Sequence, residues 1–376
     1  MRKIHITLVG GQPMPVYLGI SYCKPDAVLF IYSKETEKQK QAIKKEVIEN
    51  KLISEDSALK SEALDPVNME EIEAAAIQYK EKFANDEVSI NISGGTKAWS
   101  YFFAKVFENS PNAKILYIDQ NNCVHDLKSK TTEYVQNDIL VQFKLNKNPL
   151  KVYTPFNVYT ERDFEMIGEI EKIRRTTDIG IFTKLTNVDL DKKGTSPNNQ
   201  VGDSKIKCEN ESCEIAIAKS GNIKKFALSS PHICDIIFNA AWFELKVAKI
   251  LSEWSKAKNI YMNCKFVVNN GQSIEMAAKN PKNEVDIIVD TGDKALFVEC
   301  KTNIARSTDI DKFNNVVKNV GGSGSKALFV CLNSFGEKER EKFRDCNMLT
   351  YSFKESNYDV DKLYKMLDTK MININK

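Results

Sequence analysis

The first 150 residues alternate between short apolar runs and longer stretches whose apolar residues recur at helical spacing. The short runs predict strands at 3–9, 27–32, 88–92 and 114–118, and the longer stretches predict helices at 34–52, 70–83 and 96–108. Strands that alternate with helices favour a mostly parallel sheet with helices on both faces, so the predicted fold class is α/β. Such a sheet binds ligands beyond the carboxyl ends of its strands, where the strand order reverses.

After residue 150 the pattern changes. A helix is predicted at 161–175, followed by a polar stretch rich in Lys, Asp, Asn, Gly and Ser and then by short alternating runs. From residue 234 the pattern is an amphipathic helix at 236–254, a strand, a hairpin, a helix and a strand, which favours a second α/β region. We therefore divide the chain into 1–150, a helical connector with a small β insert at 151–233, and a C-terminal domain at 234–376.

Composition narrows the class of protein. Hydrophobic residues make up 42% and charged residues 28% of the 376 residues, as in ordinary globular proteins. No apolar run reaches the roughly 18 residues that span a bilayer, and the N-terminus lacks the features of a signal peptide, so no membrane partner is expected. The net charge of +3 does not by itself indicate nucleic-acid binding.

The nine cysteines are too few and too scattered for a disulfide scaffold, so we expect a cytoplasmic protein with reduced thiols. Cys208 and Cys213 are the only close pair, without a second pair or a histidine nearby. A zinc site remains an alternative there, and a reduced hairpin is favoured.

Two polar segments of the predicted C-terminal hairpin carry the strongest chemical signal. They are 284–286 (EVD) on one strand and 299–301 (ECK) on the next. Because residues i and i+2 of a strand face the same side, Glu299 and Lys301 should project together, near Asp286 on the neighbouring strand. Carboxylate oxygens that converge in this way suit a divalent cation, and a lysine beside it suits the activation of water. The alternative is that Glu299 and Lys301 form an ordinary solvated strand face.

This pattern resembles the PD-(D/E)xK nuclease superfamily, which has a restriction-endonuclease-like fold. Members carry an acid on one strand, E-x-K on the next and a glutamate on a preceding helix, and Glu244 fits the helical position. The usual Pro-Asp dipeptide is absent, because Val285 precedes the aspartate. The resemblance implies four catalytic residues: Glu244, Asp286, Glu299 and Lys301.

The same resemblance implies a bound Mn²⁺ or Mg²⁺ ion. Asp286 and Glu299 would supply its carboxylate ligands, the backbone carbonyl of Cys300 would add another, and Glu244 would support the metal or its water. Glu284 shares the face of Asp286. It is either a further ligand or simply an exposed residue.

The second signal is the segment 91–97 (NISGGTK), where a predicted strand runs into a predicted helix. Two glycines let the backbone approach a ligand closely, and free N–H groups at a helix start suit an anion such as phosphate. The spacing differs from that of a Walker A loop. A plain tight turn is the alternative.

This loop resembles the N-x-(S/T)-G-G-T-K signature of CARF domains, the Rossmann-like sensors of CRISPR defence that bind cyclic oligoadenylates. The segment 10–13 (GGQP), after the first strand, matches another place where these domains contact ligand. By this resemblance the ligand contacts are Gln12, Gly94, Gly95, Thr96 and Lys97. Ser33, at the end of the second strand, is a further candidate, and Asp119 and Gln120 rest on the strand-order argument alone.

A chain with a CARF-like region followed by a PD-(D/E)xK-like region resembles the cyclic-tetraadenylate-activated CRISPR ancillary nucleases that have one CARF domain per chain. They imply a two-fold homodimer that clamps one cyclic tetraadenylate, with a metal-dependent endonuclease that hydrolyses DNA or RNA. The alternative from another class is a CARF-type regulator that senses the ligand and binds nucleic acid without cleaving it. That alternative predicts a basic recognition helix near the C-terminus, where 336–346 (GEKEREKFRDC) has nearly balanced charge.

Overall fold

The computed structural model describes residues 1–188, 198–219, 221–266, 273, 275, 283–292, 294–303, 308–321 and 325–371. These residues form two compact units, Met1–Pro149 and Leu150–Lys376. Residues 151–233, which composition sets apart as a connector and insert, lie within the second unit. Residues 267 and 268 of the strand predicted after the 236–254 helix lie outside the described ranges.

The first unit is a six-stranded sheet with helices around it. Its strands are β1 (Lys3–Leu8), β2 (Ala27–Ile31), β3 (Glu87–Asn91), β4 (Ala113–Ile118), β5 (Cys123–Asp126) and β6 (Thr131–Tyr134). Its helices are α1 (Met14–Cys23), α2 (Glu37–Glu49), α3 (Met69–Lys82), α4 (Lys97–Phe107) and α5 (Ile139–Leu145). The strand order is β2-β1-β3-β4-β5-β6, with β1 to β4 parallel and the last two strands antiparallel. The mostly parallel α/β sheet predicted from the sequence is confirmed.

Helix α1 is one of the elements of this unit that the hydrophobic pattern did not predict, as are β5, β6 and α5. It connects β1 to the parallel strand β2, a connection that requires a crossover. Most of its residues from Val16 to Ile20 are buried, so it lacks the polar face by which an amphipathic helix is recognised. Pro13 and Pro15 flank its start, where a missing N–H group costs no helical hydrogen bond.

The second unit contains two sheets. Its strands are β7 (Leu150–Pro155), β8 (Asn198–Val201), β9 (Ser204–Glu209), β10 (Ser212–Lys219), β11 (Asn222–Ser229), β12 (Asn259–Phe266), β13 (Asn283–Asp290), β14 (Ala295–Lys301), β15 (Lys326–Cys331) and β16 (Leu349–Ser352). Its helices are α6 (Glu161–Thr176), α7 (Ile179–Thr186), α8 (Ile233–Ile236), α9 (Ala241–Ser252), α10 (Thr308–Gly321), α11 (Glu337–Asp345) and α12 (Val360–Met371). The larger sheet has the order β16-β15-β14-β13-β12-β7, and β8 to β11 form an antiparallel sheet.

One hydrophobic core joins the middle segment to the C-terminal segment. It includes Ile170 of α6 and Ile215 of β10 together with Trp242 of α9 and Val298 of β14. The boundary predicted at residue 233 therefore does not separate two cores.

The helix predicted at 236–254 is interrupted, and α9 begins only at Ala241. Asn239 and Ala240 have φ values of +52° and +65°, which end the helical path. The side-chain amide of Asn239 exchanges two hydrogen bonds with the backbone of Val188, and its backbone N–H donates to Thr186. These contacts stabilise the interruption between α8 and α9. The periodicity of apolar residues over 236–254 could not predict it, because the partners of Asn239 lie about 50 residues earlier in the chain.

Asp163, in the first turn of α6, is fully buried and accepts several hydrogen bonds. They come from the backbone N–H and the hydroxyl of Thr160, both at 2.8 Å, and from the backbone N–H of His232 at 3.0 Å. The ring Nδ1 of His232 is also 3.0 Å from the Asp163 carboxylate. Burial by itself would raise the pKa of Asp163, but the hydrogen bonds from His232, Thr160 and Ser230 hold it below its usual range.

We expect the substitution Asp163→Asn to lower the free energy of unfolding by about 2–4 kcal/mol at neutral pH, since it removes a charge that buried donors require. Because the folded pKa is depressed, this contribution is present above the unfolded pKa and is lost as the pH falls through the folded one. Urea unfolding should therefore show a smaller difference from the wild type at about pH 3 than at about pH 7. Asp361→Asn, at the exposed start of α12, is the control. An equal difference at both pH values would contradict the assignment.

Candidate functional sites

The carboxyl ends of β1 and β3 lie side by side in the N-terminal sheet. Strand β1 pairs in parallel with β2 on one side and with β3 on the other, and Thr7 is opposite Asn91 near the end of the β1–β3 ladder. The chain visits the two neighbours of β1 in turn, so the strand order reverses between β1 and β3. Open α/β sheets bind ligands at such a point. The loops after β1 and β3 therefore meet at the edge where the sequence predicts a ligand.

Three glycines allow these two loops to touch. A Cβ atom on Gly94 would collide with the carbonyl oxygen of Leu8, and one on Gly10 would lie 2.7 Å from the backbone nitrogen of Gly95. Gly95 also has a φ of +72°, a conformation that side chains disfavour. The Gly-Gly turn is thus required for the packing of the two loops, and a Cβ atom on Gly95 would also lie 2.6 Å from the ring of Trp99.

Thr96 is the N-cap of α4. Its hydroxyl accepts a hydrogen bond from the backbone N–H of Trp99 at 3.2 Å and donates one to the carbonyl oxygen of Pro66 at 3.0 Å. The first backbone N–H groups of α4 have no intrahelical acceptors, and the side chain of Lys97 is exposed beside them. This helix start suits an anion, with Thr96 shaping the loop and Lys97 offering the charge.

Asn91 ties the loop after β3 to two neighbouring elements, a role that the sequence motif did not reveal. It is fully buried, and its Nδ2 donates to the carbonyl oxygen of Pro15 in the first turn of α1 at 2.9 Å. Its Oδ1 accepts from the backbone N–H and the hydroxyl of Ser93 at 3.1 and 2.7 Å. The Ser93 hydroxyl in turn accepts from the N–H of Ile118, at the end of β4. The sequence signal for this role was the position of Asn91, a polar residue at the buried end of strand β3.

The other predicted ligand contacts follow strands of the same sheet. Ser33, after β2, is buried, and its N–H donates to the Thr36 hydroxyl at 2.9 Å. Asp119, after β4, accepts from the N–H groups of Asn121 and Cys123, so it shapes the turn into β5. Gln12 and Gln120 are exposed. These contacts remain predictions.

In the second unit, the hairpin of β13 and β14 brings the predicted acids and the lysine together. Ile287 pairs with Val298, so Asp286 and Glu299 come next at the end of this ladder. The backbone N–H of Cys300 donates to Oδ2 of Asp286 at 2.7 Å, which holds the carboxylate against β14. Val298 and Cys300 belong to the hydrophobic core, whereas Glu299 projects from the opposite face of the strand.

Lys301 lies between the two carboxylates. Its Nζ is 2.6 Å from Oε1 of Glu299 and 3.9 Å from Oδ2 of Asp286. Their side chains are only partly exposed, at 34% for Lys301, 16% for Glu299 and 20% for Asp286. These side chains are less exposed than those of a fully solvated strand face.

Burial and mutual repulsion raise the pKa values of the acids in this group. Burial, the charge of Asp286 and, more weakly, Asp309 raise the pKa of Glu299 to about 7, against the pull of Lys301. Burial also raises the pKa of Asp286, although Lys301 and the Cys300 N–H oppose it. The positive charge of Lys301 therefore does not cancel the rise in the pKa values of the acids. Carboxyl groups with raised pKa values are typical of functional sites.

Glu244, on α9, belongs to the same electrostatic group. Burial raises its pKa well above the usual value, as do the charges of Asp286, Glu299 and Glu284, while Lys301 lowers it. The structure thus brings Asp286, Glu299 and Lys301 together, and Glu244 is near enough for their charges to shift its pKa. Glu284 lies further out, since its side chain is 60% exposed and pairs with Lys265 on β12 at 3.4 Å.

The donor set fits a divalent cation in its chemistry. Buried carboxyl groups with raised pKa values are stabilised by an added positive charge, and carboxylate oxygens are the ligands that Mg²⁺ and Mn²⁺ prefer. Among the described residues, however, no three His, Cys, Asp or Glu side chains are already arranged around a common point for a metal. The Lys301 ammonium lies next to the Glu299 carboxylate instead.

Helix α11 lies within the charged segment considered as a recognition helix, and two of its four basic side chains pair with acids of the same unit. Lys342 pairs with Asp311, and Arg340 pairs with Glu355. Paired cations of this kind offer little charge to a nucleic-acid backbone.

Comparison with known proteins gives one family match and several fold matches. Residues 4–146 match the family model of the Card1 CARF domain. No curated protein matches the chain by sequence. Among the described residues, no helix has the length and apolar character needed to cross a bilayer.

Three solved structures resemble the fold. Can2 from Sulfobacillus thermosulfidooxidans, in complex with cyclic tetra-adenylate, has a TM-score of 0.65 at 15% identity, with 99% of this chain and 100% of that chain covered. Protein VC1899 from Vibrio cholerae has a TM-score of 0.68 at 13% identity, with 97% of each chain covered. A type III CRISPR defence DNA nuclease activated by cyclic oligoadenylate has a TM-score of 0.56 at 15% identity, with 89% of this chain but only 46% of that chain covered.

The family match covers the sheet, the Gly-Gly turn and the start of α4. The fold matches extend over the second unit as well. Residues 4–146 are therefore a CARF domain of the Card1 type, as the loop motif predicted, and a further α/β region follows it.

Proposed function

We propose that this protein is a cyclic-oligoadenylate-activated, metal-dependent nuclease of type III CRISPR defence that acts in the cytoplasm. The observation that carries the proposal is the group of Asp286, Glu299 and Lys301, with both carboxylates within 4.0 Å of one ammonium, in a chain that begins with a CARF domain. A sheet edge suited to an anionic activator thus lies in the N-terminal unit, and a partly buried group of acids and a lysine lies in the second unit. This is the order of sensor and nuclease expected for such an enzyme.

The activator is a cyclic oligoadenylate, and we infer cyclic tetraadenylate. The fold match in complex with that molecule supports this choice. We propose that two copies of the chain form a two-fold homodimer, in which a symmetric ring contacts the same loops of both copies. Lys97 and the α4 N-terminus would bind its phosphates, and Gln12, Ser33, Gly94, Gly95, Asp119 and Gln120 would form the surrounding surface.

In the second unit we propose a restriction-endonuclease-like nuclease domain. Asp286 and Glu299, with the carbonyl of Cys300, would hold Mn²⁺ or Mg²⁺, which supplies an acidified water and neutralises phosphate charge when bound. Glu244 would accept hydrogen bonds from that water. Despite burial, Asp286 and Glu299 raise the pKa of Lys301, so its ammonium would stabilise the hydroxide that forms and then the charge that develops on the phosphate. Glu284 is assigned an outer supporting role because it pairs with Lys265.

The test is cleavage of labelled DNA and RNA, each single- and double-stranded, with purified full chain. We expect hydrolysis of a phosphodiester bond with Mn²⁺ or Mg²⁺ and cyclic tetraadenylate together, and at most weak cleavage when either is left out or when EDTA is added. Retention of labelled nucleic acid with no product under any of these conditions would instead support a regulator that binds without cleaving.

A further inference from the structure

A cluster of three thiols lies in the second unit, outside both sites described above. Cys208 of β9 and Cys213 of β10 are buried and directly opposite each other, with their sulfur atoms 2.6 Å apart. Cys234, in the short helix α8, lies within hydrogen-bond reach of the Cys208 thiol. Burial and the Cys208 sulfur raise the pKa of Cys234 to about 12, so the thiolate that exchange requires is its minor form near neutral pH. The sequence singled out Cys208 and Cys213, but Cys234 reaches the cluster only through the fold.

The hairpin geometry suits a covalent bond between Cys208 and Cys213. A two-residue turn joins Glu209 to Ser212, so that pair exchanges backbone hydrogen bonds and the next pair outward, the two cysteines, does not. Non-hydrogen-bonded pairs bring the Cα atoms to about 4.5 Å, which lies within the range that a disulfide spans. The bond can therefore form without a change of strand register.

Cys234 gives the buried pair access to solvent. It is half-buried, whereas Cys208 and Cys213 are inaccessible. Its Sγ donates to the carbonyl oxygen of Asn210, in the turn of the same hairpin, at 3.0 Å. A small disulfide in solution can therefore reach Cys234 first and the buried pair only through it.

We propose that these three cysteines form a thiol–disulfide exchange site, in which Cys234 accepts oxidation from a low-molecular-weight disulfide and passes it to Cys208 and Cys213. The Cys234 thiolate attacks the external disulfide, which gives a mixed disulfide and releases one thiol. The Cys208 sulfur attacks the Cys234 sulfur and releases the second external thiol. The Cys213 sulfur then attacks the Cys208 sulfur and returns Cys234 to the thiol form. Two protein thiols are oxidised to one disulfide, and their protons leave with the two small thiols.

The cluster lies close along the chain to the helix that carries Glu244 of the proposed metal site. Only residues 237–240 separate α8, which carries Cys234, from α9, which carries Glu244. The intermediate bond between Cys208 and Cys234 would tie α8 to the hairpin and so restrain the start of α9. Oxidation would in this way affect the position of Glu244 at the proposed metal site. The exchange chemistry itself does not depend on the proposed nuclease function.

The experiment exposes the reduced full chain to oxidised glutathione, blocks free thiols with an alkylating agent after denaturation, and maps the peptides by mass spectrometry. We expect a Cys208–Cys213 disulfide in the wild type, and formation slowed by about fivefold or more in Cys234→Ser. Cys346→Ser, a half-buried cysteine at the end of α11, is the matched control and should react at the wild-type rate.

Three results would overturn the proposal. Complete alkylation of Cys208 and Cys213 after exposure to oxidised glutathione would show that the two thiols do not form a disulfide. Equal rates in Cys234→Ser and the wild type would remove Cys234 from the pathway. One equivalent of zinc that purifies with the chain, and whose removal frees all three thiols, would make the cluster a metal site instead. Because the readout is the disulfide itself, none of these results bears on whether the chain is a nuclease.

Discussion

Replacing Lys301 with alanine is expected to reduce activated cleavage of nucleic acid by about 100-fold or more. The ammonium group lies 2.6 Å from the Glu299 carboxylate, in a partly buried site where acids outnumber it. Without it, both the hydroxide that forms from the attacking water and the charge that develops on the phosphate lose a stabilising cation. Binding of cyclic tetraadenylate should be unchanged, since the CARF domain is a separate compact unit.

The matched control for this variant is Lys365→Ala, an exposed lysine on α12, which should leave both cleavage and binding at the wild-type level. Initial rates of cleavage at saturating activator and metal provide the measurement. A Lys301→Ala enzyme that cuts at the wild-type rate would remove this group from the catalytic mechanism.

Replacing Lys97 with alanine is expected to weaken binding of cyclic tetraadenylate by about 10- to 100-fold, the usual loss for one charge-assisted hydrogen bond to phosphate. The loss should be larger if two copies of the chain place two such lysines on one ring. The rate of activated cleavage should fall when the activator concentration is limiting and recover when it is saturating, because the substitution leaves Asp286, Glu299 and Lys301 unchanged. Isothermal titration with the purified ring gives the affinity directly.

Lys80→Ala, near the end of α3, is the control for charge alone, because the end of this helix precedes the amino end of β3. Unchanged affinity in Lys97→Ala, or an equal loss in both variants, would show that the start of α4 is not the phosphate site. A higher salt concentration should weaken wild-type binding more than Lys97→Ala binding, since one ionic contact is missing in the variant.

The strands and amphipathic helices of the CARF domain could be predicted because each element shows its own periodicity. Helix α1 could not, because burial on nearly all sides removed its polar face. The hairpin of β5 and β6 was missed for a related reason, since its strands are four residues long and β6 is wholly exposed. Short exposed strands owe their pairing to the neighbouring strand rather than to their own pattern.

The nearness of Glu299 and Lys301 could be predicted because strand alternation alone fixes which side chains of one strand project together. The nearness of Glu244 required a family resemblance, since no local rule relates a helix position to a strand far along the chain. The sequence showed neither the hydrogen bond from Thr96 to Pro66 nor the network around Asn91, because both depend on partners far along the chain.

The central claim is that Asp286 and Glu299 bind one divalent cation next to Lys301. Anomalous scattering from a crystal of the full chain soaked in Mn²⁺ tests it most directly. The account predicts one strong peak about 2.0–2.6 Å from carboxylate oxygens of both residues, with Lys301 displaced from Glu299. A crystal with no peak at this position at saturating Mn²⁺, and with the Lys301–Glu299 ion pair intact, would contradict the account.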